Sequence, residues 1–413
     1  MFRFITAGES HGQALIAIVE GLPAGLEISE EFVNRELVRR QRGYGRGSRM
    51  RIEKDRAEIL SGVRWGKSIG SPIAIRIENR DWKNWQEMMA VYPLESTILK
   101  KQEKKGLRRL TRPRPGHADL AGALKFGHQD LRNVLERASA RETAARTAVG
   151  AIAKKFLEEF DIVILSWVTE IGDVKIKRIG RQKQKKDKKT QDLGYFKKLF
   201  DRAERSVLRC PDPEAEKKMK QRIDEAISRG DTVGGVFELR AIGVPPGLGS
   251  YSQWDLRLDG HLAQALVSIP AIKAVELGMG FEASRKWGSE IHDEIFYRDS
   301  GKTRQGYKEG FYRMTNNAGG IEGGVSNGED IVLRAAMKPI STLRSPLRSV
   351  DIETKKKAEA GIERADVCAV PAAAVVGEAI TAIEITRAFQ EKFGGDSLEE
   401  VKRNYQGYRE YLQ

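Results

Sequence analysis

Two histidines in glycine-rich turns are the residues best suited to chemistry in this 413-residue sequence. His11 lies in Gly-Glu-Ser-His-Gly at 8–12, and His117 lies in Arg-Pro-Gly-His-Ala-Asp at 114–119. The chain has only five histidines, and glycine allows the backbone to approach a ligand closely. Because imidazole titrates near neutral pH, these two side chains are candidates for general acid–base catalysis.

An arginine cluster at residues 39–51 lies between the two histidines in the sequence. It contains six arginines, no lysine and no acidic residue, and glycines are interspersed among them. Guanidinium groups bind carboxylates and phosphates in a fixed, forked geometry, whereas a merely soluble surface mixes both signs of charge. Acid–base groups beside such a cluster indicate an enzyme that acts on a polyanionic small molecule. A solvated helix end and loop is the alternative.

The net charge of +14 is concentrated in two segments. Residues 175–189 carry +8 and residues 99–114 carry +7, so the rest of the chain sums to −1. Such an excess raises nucleic-acid binding as an alternative function. However, residues 175–189 contain no aromatic side chain, and the run at 181–189 is typical of a solvated loop because like charges resist packing.

Three further motifs add candidate ligand contacts. A long helix is predicted over 130–159, and it would place Arg137 and Arg141, which flank Ser139 in the sequence, on one face. The run at 316–328 is too rich in glycine for a regular helix or strand, and it fits a phosphate-contacting loop or a long hairpin turn. The third motif comprises two short segments, 338–342 and 364–366, which contribute cations, hydroxyls and a carboxylate.

Two other classes of site are disfavoured. Residues 8–12 match the Gly-x-Ser-x-Gly nucleophile elbow, but a helix must follow that serine, and residues 14–20 predict a strand. Cys210 and Cys368 have no partner at metal-ligand spacing, so no metal site is expected. Two cysteines in a chain of this length fit a reducing compartment.

Strands and helices alternate along the whole chain, which predicts an α+β fold. The predicted strands are 2–6, 14–20, 57–60, 72–77, 162–168 and 233–241, and the predicted helices are 29–42, 130–159 and 258–268. No Gly-x-Gly-x-x-Gly follows the first strand, which disfavours a dinucleotide-binding parallel sheet. Neither a signal peptide nor an apolar run of about 18 residues is present, so we expect a cytoplasmic protein without membrane association.

Taken together, these segments resemble the chorismate synthase family. The matching segments are, in order, GESHG, RRQRGYGRGSRM, NRDWKNW, RPGHAD, ERASARETAART, NNAGGIEGG, KPIST and RADVCAVPAAAVVGEA. The resemblance implies a 1,4-elimination that converts 5-enolpyruvylshikimate 3-phosphate to chorismate and phosphate, the last common step of the shikimate pathway. Reduced FMN would be required, without net redox change. It also implies a homotetramer and a single domain over 1–413 with helices packed between antiparallel sheets.

The resemblance assigns site residues as well. Substrate-facing positions match Arg40, Arg46, Arg49, Arg114, Ser139 and Arg141. Positions that contact FMN match Arg137, Ala138, Ser139, Gln264, Ala265, Gly323, Lys338, Pro339, Ile340, Ser341, Thr342 and Arg364. His11 would protonate the leaving phosphate or hold it protonated, and His117 would control the charge of the flavin pyrimidine edge. Asp366 would help flavin N5 to act as a base.

Some alternatives stay open at this point. NADPH, as a reductant of the flavin, would contact Arg40 and Arg46, although the same groups can hold substrate phosphate. No separate nicotinamide-binding fold is visible, which favours a form that depends on a separate flavin reductase. A flavoprotein without elimination activity is disfavoured by the complete set of His11, His117 and Asp366. The segments 181–189 and 190–230 receive no role.

Overall fold

The computed structural model describes residues 2–47, 54–93, 109–177, 193–298, 310–363 and 366–412. The strands are β1 (Arg3–Ala7), β2 (Ala14–Glu20), β3 (Ala57–Ile59), β4 (Val63–Arg64), β5 (Lys67–Ser68), β6 (Ile73–Glu78), β7 (Val163–Ile171), β8 (Val174–Lys175), β9 (Gly235–Ile242), β10 (Ile272–Leu277), β11 (Ile295–Arg298), β12 (Gly310–Arg313), β13 (Ile321–Glu322), β14 (Val325–Ser326), β15 (Ile331–Met337), β16 (Arg348–Val350) and β17 (Lys357–Glu359). The helices are α1 (Glu30–Gln41), α2 (Asp119–Phe126), α3 (Arg132–Arg137), α4 (Thr143–Glu158), α5 (Leu193–Arg205), α6 (Pro213–Arg229), α7 (Leu258–Val267), α8 (Gly288–Ile291), α9 (Val370–Phe393) and α10 (Leu398–Tyr411). Short 3-10 turns include Trp82–Asn84 and Ala140–Glu142.

The N-terminal segment builds an antiparallel sheet of four strands in the order β1-β2-β6-β3. Alternate residues of β2 are buried, namely Leu15, Ala17 and Val19, while Ile18 points away and is largely exposed. This period of two turns one face of the sheet toward the helices. The turn at 8–12 joins β1 to β2, so His11 lies at one end of this sheet.

A second antiparallel sheet has five strands in the order β10-β15-β9-β7-β8. Strand β7 is buried along most of its length, including Trp167 and Val168, because α4, α5 and α9 all contact it. Its apolar run therefore lacks the alternation that β2 shows.

Two helices fill the space between the sheets. Helix α4 contacts β1, β2 and β6 of the first sheet and β7 of the second, while α9 contacts β7 and β9. The two helices cross closely because Gly150 has no side chain, and a Cβ there would overlap Ala379. The predicted α+β class, with helices between antiparallel sheets, is confirmed.

A buried ion network joins the helices in this layer. Glu378 of α9 accepts hydrogen bonds from Arg39 at 2.8 and 2.9 Å, from Arg209 at 2.9 Å and from Lys154 and Ser166 at 2.5 Å. Burial by itself raises the pKa of Glu378, but these cations hold it well below its ordinary value. The network anchors Arg39, the residue that precedes Arg40 in the last turn of α1.

Most predicted elements lie where the sequence placed them. Ser29 caps α1 by accepting from the Phe32 N–H at 3.2 Å, and the strands near 14–20, 72–77, 162–168 and 233–241 are present within a few residues. The glycine-rich run contains the short hairpin β13–β14, with Gly323 and Gly324 at its turn. Residues 193–229 form mainly α5 and α6, whereas the basic loop at 181–189 falls outside the described residues.

The single helix predicted over 130–159 is wrong. The chain leaves the helical path at Ser139 (φ −66°, ψ 142°), between α3 and the 3-10 turn. Ser139 Oγ accepts from the Arg141 N–H at 3.4 Å and donates to Ser10 Oγ at 3.1 Å, so the serine bonds locally instead of continuing the helix. Arg137 and Arg141 consequently do not share a helix face.

Within the described ranges, no helix is long and apolar enough to cross a membrane. The same part of the chain contains no group of three or more His, Cys, Asp or Glu side chains that could hold a metal ion.

Candidate active site

His11 is held by a carboxylate from a distant part of the chain. Its ring Nδ1 lies 2.9 Å from Glu136 Oε1, and its backbone N–H donates to Glu136 Oε2 at 2.8 Å. The Ser10 N–H donates to the backbone carbonyl of Glu136 at 3.0 Å. Both His11 and Glu136 are buried, so α3 fixes the turn at 8–12 through main-chain and side-chain contacts together.

An indole covers one face of the His11 ring. The rings of His11 and Trp85 stack with 3.6 Å between centroids and 23° between planes. Arg132 lies near both partners, with its guanidinium 5.5 Å from the Trp85 ring centroid and Nη1 3.3 Å from Glu136 Oε1. Burial raises the pKa of Glu136, but the hydrogen bonds and charge of His11, with Arg132, lower it overall. The carboxylate beside His11 is therefore ionised at neutral pH.

His117 is held by a carboxylate that it shares with Arg114. His117 Nδ1 lies 2.6 Å from Asp119 Oδ1, and Arg114 binds both oxygens of Asp119 at 2.8 and 3.0 Å. Arg114 Nη2 is also 3.0 Å from His117 Nδ1. Burial raises the pKa of Asp119, but His117 and Arg114 outweigh it and hold that pKa well below its ordinary value.

The segment 338–342 packs against the His117 turn. Lys338 Nζ donates to the Gly116 carbonyl at 2.6 Å, and Arg114 Nη1 donates to Thr342 Oγ1 at 2.8 Å. Burial, with the nearby charge of Lys273, lowers the pKa of Lys338. The structure therefore brings His117 together with the segment that the family resemblance assigns to cofactor contact.

Arg40 and Arg141 meet at one buried carboxylate. Arg40 Nη1 lies 3.2 Å from Asp55 Oδ2, and Arg141 Nη1 lies 2.7 Å from Asp55 Oδ1. Arg40 also donates to Thr143 Oγ1 at 3.0 Å and to the Ala140 carbonyl at 3.2 Å. Asp55 thus orients two of the arginines that the sequence predicted to face an anion.

Arg46 and Asp366 form a second such pair. Arg46 Nε lies 3.1 Å from Asp366 Oδ2, and the Gly47 N–H donates to Asp366 Oδ1 at 2.7 Å. The loop after α1 is therefore attached to the segment before α9. Two predicted site residues, Arg49 and Arg364, lie outside the described residues.

A cavity of about 460 Å³ opens beside Arg137, Ala138 and Ser139. Its wall also includes Phe4, Thr6, Glu142, Arg146 and Pro270. Arg137 donates to the carbonyls of Thr6 and Gly8 at 3.0 Å, so it ties α3 to the end of β1.

Arg146 connects this cavity with the end of α7. Its Nη1 donates to Ser268 Oγ at 2.8 Å, and Ser268 Oγ donates to the Ala265 carbonyl at 2.6 Å. Gln264 and Ala265, which the family resemblance assigns to cofactor contact, therefore belong to a helix end that adjoins the cavity. Gly323 is at an exposed hairpin turn, where an added Cβ would meet nothing within 4 Å.

Sequence reasoning missed four side chains that hold predicted site residues, namely Asp55, Trp85, Asp119 and Glu136. The spacing of His117 and Asp119 carried a usable signal, since a carboxylate two residues away can reach the ring. Glu136 is 125 residues from His11, and Asp55 is 15 residues from Arg40 and 86 from Arg141, so no local pattern indicated these pairs.

Comparisons with known proteins agree along the chain. A family model described as chorismate synthase matches residues 2–389. The chorismate synthase of Geobacter sulfurreducens is 57% identical over 412 residues, covering 100% of this chain and 99% of that protein. The chorismate synthase of Aquifex aeolicus is 55% identical over 414 residues, covering 98% of this chain and 97% of that protein.

A solved structure gives the same result for the fold. The crystal structure of a chorismate synthase superimposes with a TM-score of 0.76 at 45% sequence identity, covering 100% of this chain and 98% of that one. The resemblance predicted from the eight sequence segments is confirmed, and this chain belongs to the chorismate synthase family.

Proposed function

We propose that His11 and His117 carry the acid–base chemistry of the reaction that this chain catalyses as a family member, the conversion of 5-enolpyruvylshikimate 3-phosphate to chorismate and phosphate. The observation that supports this assignment is that each ring has Nδ1 against a buried carboxylate, Glu136 or Asp119. An ionised carboxylate orients an imidazole and stabilises its protonated form.

His11 is the proposed proton donor to the leaving phosphate. In the elimination the ring C–O bond breaks, its electron pair goes to the phosphate oxygen, and that oxygen takes a proton. Glu136 occupies Nδ1, so the proton leaves from Nε2. Ser139, whose hydroxyl contacts Ser10 beside His11, is proposed to bind the same end of the substrate.

The arginines Arg40, Arg46, Arg49, Arg114 and Arg141 are the proposed ligands of the substrate's phosphate and two carboxylates. Arg40 and Arg141 share Asp55, Arg46 is paired with Asp366, and Arg114 is paired with Asp119. These pairings fix the guanidinium groups before a ligand binds and thereby reduce the ordering cost of binding. In this assignment Asp366 is the carboxylate that supports removal of the ring hydrogen.

FMN is the flavin proposed for this site, and the residues present fit it. The cavity beside Arg137, Ala138 and Ser139 offers about 460 Å³ with cationic and hydroxyl side chains on its wall, as a phosphate-bearing ring system needs. The proposed contacts add Gln264, Ala265, Gly323, Lys338, Pro339, Ile340, Ser341, Thr342 and Arg364. When bound, reduced FMN supplies electron density that assists departure of phosphate without net redox change. Lys338 and His117, joined through Gly116, would stabilise negative charge on it.

The remaining partners are proposals of the same kind. We expect a cytoplasmic homotetramer that obtains reduced flavin from a separate reductase. NADPH contacts at Arg40 and Arg46 are the alternative, although both guanidinium groups are already paired with carboxylates, Asp55 and Asp366. Oxidation of NADPH by the purified protein with FMN, and light scattering of the protein in solution, test these two expectations.

Anaerobic turnover with dithionite-reduced FMN tests the main assignment. His11→Ala and His117→Ala are each expected to reduce kcat by about 10²–10⁴-fold, the usual size of an acid–base contribution, at unchanged thermal stability. Folded variants that retain the wild-type rate would refute the roles of the two histidines.

A further inference from the structure

We propose that Glu136 and Trp85 are positioning residues for His11, which lock its ring so that only Nε2 faces the reacting phosphate. This proposal rests on the proton-donor role of His11 above. It assigns a task to two side chains that contact the imidazole: Glu136 on α3, and Trp85, which follows the 3-10 turn Trp82–Asn84.

Glu136 sets which nitrogen carries the transferable proton. Its carboxylate is buried and ionised, so it can only accept, and the 2.9 Å contact requires Nδ1 of His11 to donate. The proton that leaves the imidazolium must then come from Nε2. The His11 backbone N–H donates to the same carboxylate at 2.8 Å, so Glu136 fixes the imidazole relative to the main chain of its own turn.

Trp85 restricts rotation of the ring about its second side-chain torsion. The stack at 3.6 Å leaves no room for the imidazole to flip out of plane. Trp85 is itself anchored, because its Nε1–H donates to Asp81 Oδ2 at 3.0 Å and its backbone N–H donates to the Trp82 carbonyl at 2.8 Å. An indole face also stabilises a protonated ring next to it.

Arg132 closes the cluster by bonding Glu136 at 3.3 Å and lying 5.5 Å from the Trp85 ring centroid. Its charge prevents Glu136 from being an uncompensated buried anion when His11 is neutral. The charged groups around His11 are Glu136 and Arg132 on α3, Glu9 in the same turn, Asp81 behind Trp85, and Arg137 on the Gly8 carbonyl.

Glu136→Gln tests the electrostatic part of the proposal, since glutamine keeps an oxygen for Nδ1 and removes the charge. We expect kcat to fall about 10- to 100-fold, part of a full acid–base contribution, with little change in KM. In the proposed mechanism His11 must be protonated before phosphate leaves, so kcat falls on the alkaline side of the pH–rate profile. Because Glu136→Gln removes the neighbouring anion, this alkaline fall in kcat should occur at lower pH in the variant. Glu384→Gln, a buried glutamate bonded to Arg387 on α9, is the matched control and should leave rate and profile unchanged.

If Glu136 had only a structural role, Glu136→Gln would lower kcat or the melting temperature without shifting the alkaline fall of the pH–rate profile. If His11→Ala is inactive while a folded Glu136→Gln keeps the wild-type rate and pH profile, the positioning proposal fails and the role of His11 stands. If His11→Ala is fully active, the proposed function itself fails.

Trp85 provides a second test that does not depend on Glu136→Gln folding. Trp85→Phe keeps an aromatic face and should retain kcat within about 3-fold, whereas Trp85→Ala should lose about 10-fold in kcat, the scale of one aromatic stack. Equal kcat values for the two variants would overturn the role of the stack.

Discussion

His11 and His117 are each bound at Nδ1 by a buried carboxylate, but the two carboxylates are shared differently. Glu136 reaches His11 from 125 residues away and binds both its ring and its backbone, with Arg132 as a longer contact. Asp119 is two residues from His117 and is bound at both oxygens by the guanidinium of Arg114. The first carboxylate mainly holds a ring, whereas the second must also neutralise a buried cation.

Neutralising the carboxylate should therefore cost the two regions different amounts of folding stability. Near His11 a glutamine weakens a single 3.3 Å contact between Arg132 and Glu136. Near His117 an asparagine removes a carboxylate that binds Arg114 through both of its oxygens, at 2.8 and 3.0 Å, and the Arg114 side chain is only 7% exposed. Removing one partner of a buried pair is costly because the other charge stays desolvated.

Asp119→Asn is expected to have the largest effect. It should destabilise the protein by about 3 kcal/mol, because an amide N–H2 would face a guanidinium donor. It should also lower kcat about 10²–10³-fold, because His117 and Arg114 lose their common anchor. Chemical denaturation and anaerobic turnover measure the two effects, with Asp224→Asn, whose carboxylate bonds the Tyr44 hydroxyl at the surface, as control. If Asp119→Asn lost less stability than Glu136→Gln, the inference that Asp119 neutralises the more dependent cation would be wrong.

Gly122→Ala tests whether the two histidine regions are mechanically coupled. Gly122 in α2 faces Val134 in α3, and an added Cβ would lie 2.5 Å from Val134 Cγ1. Because α2 begins at Asp119 and α3 carries Glu136, separating these helices should disturb both carboxylates. We expect a loss of about 1–3 kcal/mol and about 10-fold in kcat.

Gly407→Ala is the control for this change, since it adds a methyl group to α10 where nothing lies within 4 Å. It should be neutral or stabilise the protein by about 0.5–1 kcal/mol. Wild-type melting and turnover in Gly122→Ala would show that the two regions are independent.

The smallest expected effect is in acid stability. The pKa of Asp119 is lowered on folding, so its contribution is complete above the ordinary aspartate pKa and is lost as the pH falls toward the lower folded value. We therefore expect the difference in unfolding free energy between the wild type and Asp119→Asn, measured from pH 7 to pH 3, to be constant near neutrality. This difference should become smaller below about pH 4. A difference in unfolding free energy that grows in acid would mean that Asp119 is protonated in the folded protein.

Several features of the site could be read locally. Ser29 as a helix cap, the strands that flank the turn at 8–12 and the family itself follow from short patterns, because capping and period-two burial involve near neighbours. The prediction of one helix over 130–159 was wrong because a contact with a distant residue interrupts it. Its apolar spacing continues through Ser139, but the hydroxyl of Ser139 finds partners in Arg141 and in the distant Ser10.

The sequence by itself determined the residue types for the chemistry, namely two histidines in glycine turns, an arginine cluster and a family of known reaction. Only the tertiary structure decided that Glu136 and Trp85 enclose His11, that Asp55 joins Arg40 to Arg141, and that Asp366 binds Arg46. Hydrogen bonds and ion pairs act over a few ångströms in space. The pairs Glu136–His11, Asp55–Arg141 and Asp366–Arg46 are 86 to 320 residues apart in the chain, so they meet only once both sheets have packed on the helices between them.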